Sequence, residues 1–271
     1  MLKIQFKNWT VFEKVWLSTF IIIIMFATIY FSVTDTDYAS TMSILLNWVI
    51  SPVGALSGII CVVLAAKGFK ATWYWGIVNT IFYGYLAFMG GIYGDFMINI
   101  FFFLPTQFVG IYSWNKLTRK KQSKDVPMRQ LTIGKFVVIA LFAIFAIFLF
   151  GQFLYGVDNW FTENLRHNEA FYGMLAETFN LNSNQFGAYI DASTEVFQIL
   201  AQIFMIMALK EQWFLWILTN IISIFMWTVI IIADPSSVSW AVPVLAMWIA
   251  FLINSFYGLY NWTKGAKSSE I

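Results

Sequence analysis

Eight apolar stretches constrain this chain more than any other feature. They run approximately 15–33, 42–66, 71–89, 93–114, 132–155, 189–209, 213–233 and 239–262. A spanning helix takes about 20 apolar residues. Inside a bilayer the backbone must satisfy its own hydrogen bonds, so the segments are expected to be helices. The expected fold is an all-α polytopic membrane protein of eight spans. Composition agrees, with 60% hydrophobic and only 11% charged residues among 271. A soluble domain carries about 25% charged residues, so a soluble enzyme is excluded. A formal net charge of +2 leaves nothing to attract nucleic acid.

The loops assign an orientation. Alternating them puts fifteen of the sixteen Lys and Arg on one side and leaves Arg166 on the other, with Asp35, Asp37, Asp95, Asp158, Glu163, Glu169, Glu177 and Asp234. Basic residues mark the cytoplasmic face, so both termini are expected there. The N-terminal run, preceded by Lys3, Lys7, Glu13 and Lys14, reads as a first span rather than a cleavable leader. Residues 115–131 read as a basic cytoplasmic linker and 156–186 as a polar external segment. Within that segment, Glu169 to Asn180 is expected to form a short amphipathic helix on the outer surface.

Two internal matches indicate a repeat. Trp75-Gly-Ile-Val-Asn79 aligns with Trp216-Ile-Leu-Thr-Asn220 at an offset of 141. The run Phe108 to Lys116 aligns with Phe256 to Lys264 at an offset of 148, sharing Phe, Gly, Tyr, Trp and Lys. Each copy has three helices. One connecting helix restores the direction, so the copies are expected to run parallel. The expected units are an extra N-terminal helix in 1–41, a first repeat in 42–116, a connecting unit in 117–188, a second repeat in 189–264 and a tail in 265–271.

Polar residues within spans are expensive and mark function. Asp191, Glu195, Gln198 and Gln202 fall on one helical stripe. So do Trp213, Trp216 and Asn220, and so do Asn254, Tyr257 and Asn261. Trp75 and Asn79 share a face in the first copy, extended by Thr72, and Gln107 lies late in that copy's third helix. Amides both donate and accept hydrogen bonds, and indoles attract flat cationic rings. This lining suits a ligand with an aromatic ring, an amide and a sugar. It does not suit a phosphate, since no Lys or Arg lies deep in a span. Other readings stand beside this one. Trp213 fits an interfacial belt, and Asn79 and Asn220 fit hydrogen-bonded helix packing. Asp191 and Glu195 fit the rim of an outer mouth. Tyr112, Trp114, Tyr260 and Trp262 read as interface anchors or a gate.

The sequence also argues against other chemistry. His167 is the one histidine and Cys61 the one cysteine, so no haem or transition-metal site is expected. No phosphate-binding GxxxxGK[ST] loop is present for ATP. Glu195 reads as the one carboxylate well inside a span, which argues against proton coupling and against an intramembrane enzyme. A sensor or assembly subunit without transport is a separate class.

Trp213-x-x-Trp216 followed by Asn220, the Glu195/Gln198 stripe and the Gly258-Leu-Tyr-Asn-Trp262 ending resemble the PnuC family of nicotinamide-riboside transporters. The resemblance covers about 42–264. It implies import of nicotinamide riboside across the bacterial inner membrane by facilitated diffusion, with no cofactor. It also implies a SWEET-like 3+1+3 arrangement, a homotrimer and trapping of the riboside by a cytoplasmic kinase. Thiamine and riboflavin are alternative cargoes within the same class. Carried onto this chain, the resemblance gives Trp213, Trp216 and Asn220 as the motif. Gln198 and Asn254 then become hydrogen-bonding candidates, with Tyr257 and Glu195 beside them. Asn79 and Gln107 form the opposing wall.

Overall fold

The computed structural model describes residues 9–34, 41–122, 126–164 and 171–269. His167, Arg166, Asp35, Asp37, Glu169, Lys3, Lys7 and Lys124 lie outside the described residues. Among those described, regular structure is helical apart from a bridge between Arg129 and Leu209. The helices are α1 Val11–Thr34, α2 Thr41–Leu45, α3 Ser51–Ala66, α4 Thr72–Met89, α5 Tyr93–Ile98 and α6 Leu104–Lys121. They continue as α7 Ile133–Asn164, α8 Phe171–Thr178, α9 Gln185–Ile206, α10 Gln212–Ala233 and α11 Val238–Ser269.

Six helical stretches are long and apolar enough to cross a membrane: Val11–Thr34, Met42–Ala66, Tyr93–Lys120, Ile133–Trp160, Gln212–Ala233 and Pro235–Lys267. The chain is a multi-pass membrane protein. Two other expected spans form helices, α4 and α9, but fall outside that set. They hold the polar stripes, with Asn79 on α4 and Asp191, Glu195, Gln198 and Gln202 on α9, which lowers their mean hydropathy.

Proline shapes two of the long stretches. Pro52 and Pro105 are each the second residue of a helix that follows a π-helical turn, Leu46–Ile50 before α3 and Asn99–Phe103 before α6. Proline has no N–H, and its ring crowds the carbonyl one turn back. The wider π turn relieves that crowding and lets the helix continue.

The turns between helices expose a repeating register. Gly68 has φ +70°, with Gly68 N–H on Ala65 O at 2.9 Å and Phe69 N–H on Leu64 O at 2.9 Å. Ala208 has φ +57°, with Ala208 N–H on Met205 O at 3.0 Å and Leu209 N–H on Phe204 O at 2.9 Å. Both are left-handed helix ends with matching hydrogen bonds, 140 residues apart. The expected offset of 141 is therefore corrected by one. Gly76 stands opposite Trp216 and Thr80 opposite Asn220. Matching Trp75 to Trp216 follows side-chain identity, whereas the turn geometry sets the true register.

Packing brings the helices into one bundle. α3 contacts α4 and α11, α10 contacts α9 and α11, and α7 lies along α9. α1 packs on α11 and α3. Its start is a capping box: Glu13 Oε2 accepts from Thr10 N at 2.7 Å and Thr10 Oγ1 accepts from Glu13 N at 3.2 Å. Glu13 also pairs with Lys67 Nζ at 2.7 Å and accepts the Tyr257 hydroxyl at 2.8 Å.

Three expectations change. α7 runs on to Asn164, past the expected start of the polar segment at 156, and Asp158 is buried. α8 buries its apolar face on protein, with Phe171, Tyr172 and Leu175 packed against α9 and α10. Trp114 and Trp262 are not interface anchors but fully buried, whereas Tyr112 and Tyr260 are exposed.

Candidate functional site

A cavity opens between α3, α4 and α6 on one side and α9, α10 and α11 on the other. Three of the lining helices offer a stripe spaced three and four residues apart, which is one helical face. α4 gives Gly76, Thr80 and Tyr83; α10 gives Trp213, Trp216 and Asn220; α11 gives Trp248, Phe251 and Ser255. α9 adds Gln198 and Gln202, and α6 adds Gln107.

The structure brings together Trp213, Trp216, Asn220, Gln198, Asn79 and Gln107 around this cavity. Three other candidates sit elsewhere. Asn254 faces away and donates through Nδ2 to Val62 O at 2.9 Å, because Ser255 takes the cavity-facing position one residue on. Tyr257 reaches Glu13 and so joins α11 to α1. Glu195 is fully buried and does not line the cavity; its Oε1 accepts from the neighbouring Thr194 hydroxyl at 3.4 Å.

The two walls differ where they should match. Trp216 presents an indole to the cavity. Gly76, its counterpart, leaves a gap that the Gln107 amide fills: a Cβ on Gly76 would lie 2.5 Å from Gln107 Oε1. The pocket is thus aromatic on one wall and amide on the other. Asn220 donates to Ser255 Oγ at 2.9 Å, and Asn79 donates to Gly54 O at 3.0 Å. Asn79 thereby also ties α4 to α3. Around the cavity, Trp213 Nε1, Trp248 Nε1 and Asn220 Oδ1 have no hydrogen-bond partner among the described residues. The protein thus leaves two donors and an acceptor unsatisfied on residues that line the cavity. The lining includes no lysine or arginine.

Behind Gln198 runs a polar relay. Gln198 Nε2 donates to Asp95 Oδ1 at 2.7 Å, and Tyr83 donates its hydroxyl to Asp95 Oδ2 at 2.5 Å. Trp227 Nε1 donates to the Tyr83 oxygen at 3.3 Å. Asp191 accepts from Gly94 N at 3.0 Å and from the Tyr172 hydroxyl at 2.6 Å. The loop pattern assigns Asp95 to the outer side, yet it is fully buried. Its helix folds back so that the carboxylate meets donors from α4 and α9. The expectation of a single deep carboxylate is corrected too, since Asp95, Asp191 and Glu195 are buried together. They do not line the cavity; Asp95 and Asp191 are held by donors from Tyr83, Gln198, Gly94 and Tyr172.

Sequence reasoning missed Tyr83, Trp248, Phe251 and Ser255. The signal is present as the four-residue step from Asn79 to Tyr83 and the three-four spacing on α11. Aromatic residues are so frequent here, at 20% of the chain, that the stripe does not stand out. Among the described residues no cluster of His, Cys, Asp or Glu is arranged to hold a metal ion.

The family model described as nicotinamide mononucleotide transporter matches residues 48–264. Relatives named nicotinamide riboside transporter PnuC occur in Neisseria mucosa and Haemophilus influenzae, each 29% identical over 265 residues. Those alignments cover 97% of this chain, with 84% of the Neisseria and 95% of the Haemophilus protein. The crystal structure of the vitamin B3 transporter PnuC matches with a TM-score of 0.68 and 27% identity. That match covers 96% of this chain and 94% of the other.

Proposed function

The chain belongs to the PnuC family of membrane transporters, and from that premise we propose that it carries nicotinamide riboside across the bacterial inner membrane. The observation that carries the cargo is the cavity lining of indoles and amides without a lysine or arginine. A pyridinium ring is attracted to indole faces. A carboxamide and ribose hydroxyls match the amides, the two indole N–H groups and Asn220 Oδ1. The family model carries the name of the mononucleotide, whereas the relatives carry that of the riboside. A phosphate monoester calls for cationic partners, so the lining favours the riboside.

The architecture in this proposal has eight spans in two parallel three-helix repeats, 42–116 and 189–264. The connecting unit 117–188, the extra helix in 1–41 and the tail 265–271 complete it. The recurrence of the Gly68 turn at Ala208 supports it. The positive-inside rule assigns both termini to the cytoplasm. The bundles rock about the cavity, and transport is facilitated diffusion, a reading supported by Asp95 and Asp191 being held by protein donors and by no carboxylate lining the cavity. A homotrimer and trapping by a cytoplasmic riboside kinase complete the reading.

The test is uptake of labelled nicotinamide riboside into liposomes holding only this protein. The expected result is equilibration to the outside concentration, unaffected by a pH gradient, with the riboside recovered unchanged. Absence of uptake would contradict the carrier. Conversion of the riboside would make the chain an enzyme.

A further inference from the structure

With Asp95 as the carboxylate, the relay behind Gln198 has one direction. An indole N–H can only donate, so Trp227 directs its N–H to the Tyr83 oxygen. The single hydroxyl proton of Tyr83 then points to Asp95 Oδ2. The other Asp95 oxygen takes the Gln198 amino group. With Nε2 committed to Asp95, Gln198 Oε1 is left for the cavity that this side chain lines. Trp227, Tyr83, Asp95 and Gln198 are all at least 97% buried. An amide outside such a relay could turn over and offer either end.

Resting on the nicotinamide riboside reading, we propose that Asp95 is a positioning residue that fixes the Gln198 oxygen toward the cavity, so that the carrier selects a ring carboxamide over a ring carboxylate or ketone. The carboxamide N–H₂ supplies the donor that Gln198 Oε1 accepts. A carboxylate brings only acceptors and faces the Asp95 charge close behind the amide. A ketone keeps the carbonyl and lacks the donor.

The substitution Asp95→Asn tests the direction itself. The introduced amide must still accept the Tyr83 proton through its oxygen, which turns its own N–H₂ toward Gln198. Gln198 then turns over and shows N–H₂ to the cavity. The polarity reverses with almost no change of volume.

Binding is measured by calorimetry on the whole purified protein with nicotinamide riboside, nicotinic acid riboside and 3-acetylpyridine riboside. In the wild type the carboxamide is expected to bind about 10- to 100-fold more tightly than either analogue, the usual effect of leaving one buried hydrogen-bonding group unmatched. In Asp95→Asn that preference is expected to vanish or reverse, with the thermal midpoint retained. A merely structural role would weaken all three ligands by a common factor, and that outcome overturns the proposal. Equal binding of the carboxamide and the ketone by the wild type overturns it as well, and needs no variant to fold. If none of the three binds the wild type, the riboside reading fails and this proposal with it.

Discussion

The Trp262 indole donates a hydrogen bond to the Ala65 carbonyl at 3.1 Å, across the two halves of the bundle. The reverse contact exists: Trp114 donates to Met205 O at 2.9 Å. Ala65 and Met205 are 140 residues apart, the same register as the Gly68 and Ala208 turns. Each half thus caps the other half's first long helix with a buried tryptophan. One turn away the second half donates in both contacts, Asn254 to Val62 O and Gln202 to Thr106 Oγ1.

Replacing Trp262 or Trp114 by Phe removes one of two donors to a buried carbonyl, which keeps the Gly68 or Ala208 N–H, and shrinks a fully buried side chain. Each single change is expected to cost about 1–3 kcal/mol, read as a lowered thermal midpoint in detergent. An unchanged midpoint in both variants would show that the crossed contacts do not hold the halves together.

Gly76 gives a sharper test of the cavity. Gly76→Ala puts a methyl where the Gln107 amide now sits and drives that amide from its place. The expected outcome is weaker binding of nicotinamide riboside, by about tenfold or more for a displaced hydrogen-bonding partner, with little loss of fold. Full affinity in this variant would remove Gln107 from the site.

Gly110 and Gly258 form a matched pair with different consequences. A Cβ on Gly258 would strike the Trp213 ring at 2.5 Å, and one on Gly110 would strike the Trp73 ring. Trp213 lines the cavity, whereas Trp73 is buried outside it. Gly258→Ala should therefore weaken ligand binding. Gly110→Ala should lower the thermal midpoint with ligand affinity retained in the folded fraction. Identical effects on binding would contradict this division.

The ion pair between Glu13 and Lys67 anchors the first helix. Their side chains are 1% and 10% exposed. Removing one partner leaves a buried charge, which costs about 3–5 kcal/mol. Glu13→Ala is expected to lower the thermal midpoint strongly, and Glu13→Gln with Lys67→Met to recover most of the loss. A double variant no better than the single would show that packing of α1, rather than the pair, carries the stability.

Much of the fold is legible in the residue pattern, for reasons that also explain the misses. Long apolar runs leave the chain little choice but membrane helices, so α1, α7, α10 and α11 follow directly from their lengths. The motif Trp213, Trp216 and Asn220 shares a face by spacing alone, and the three do meet at the cavity. Asn254 escapes the pattern because a helix advances about 100° per residue, and the neighbouring Ser255 takes the inward position. Asp95 escapes it because an acidic residue near a helix end reads as solvated. Its donors, Tyr83 and Gln198, come from residues 12 before and 103 after it, beyond the reach of any local pattern.

Whether the indole and amide cavity binds nicotinamide riboside as the cargo is tested most directly by calorimetry of the riboside against the purified protein. Nicotinamide mononucleotide, thiamine and Trp216→Ala belong alongside it. The expected result is clear binding of the riboside, weak binding of the phosphorylated form and loss of binding in Trp216→Ala. Tight binding of the mononucleotide, or full affinity in a folded Trp216→Ala, would contradict it.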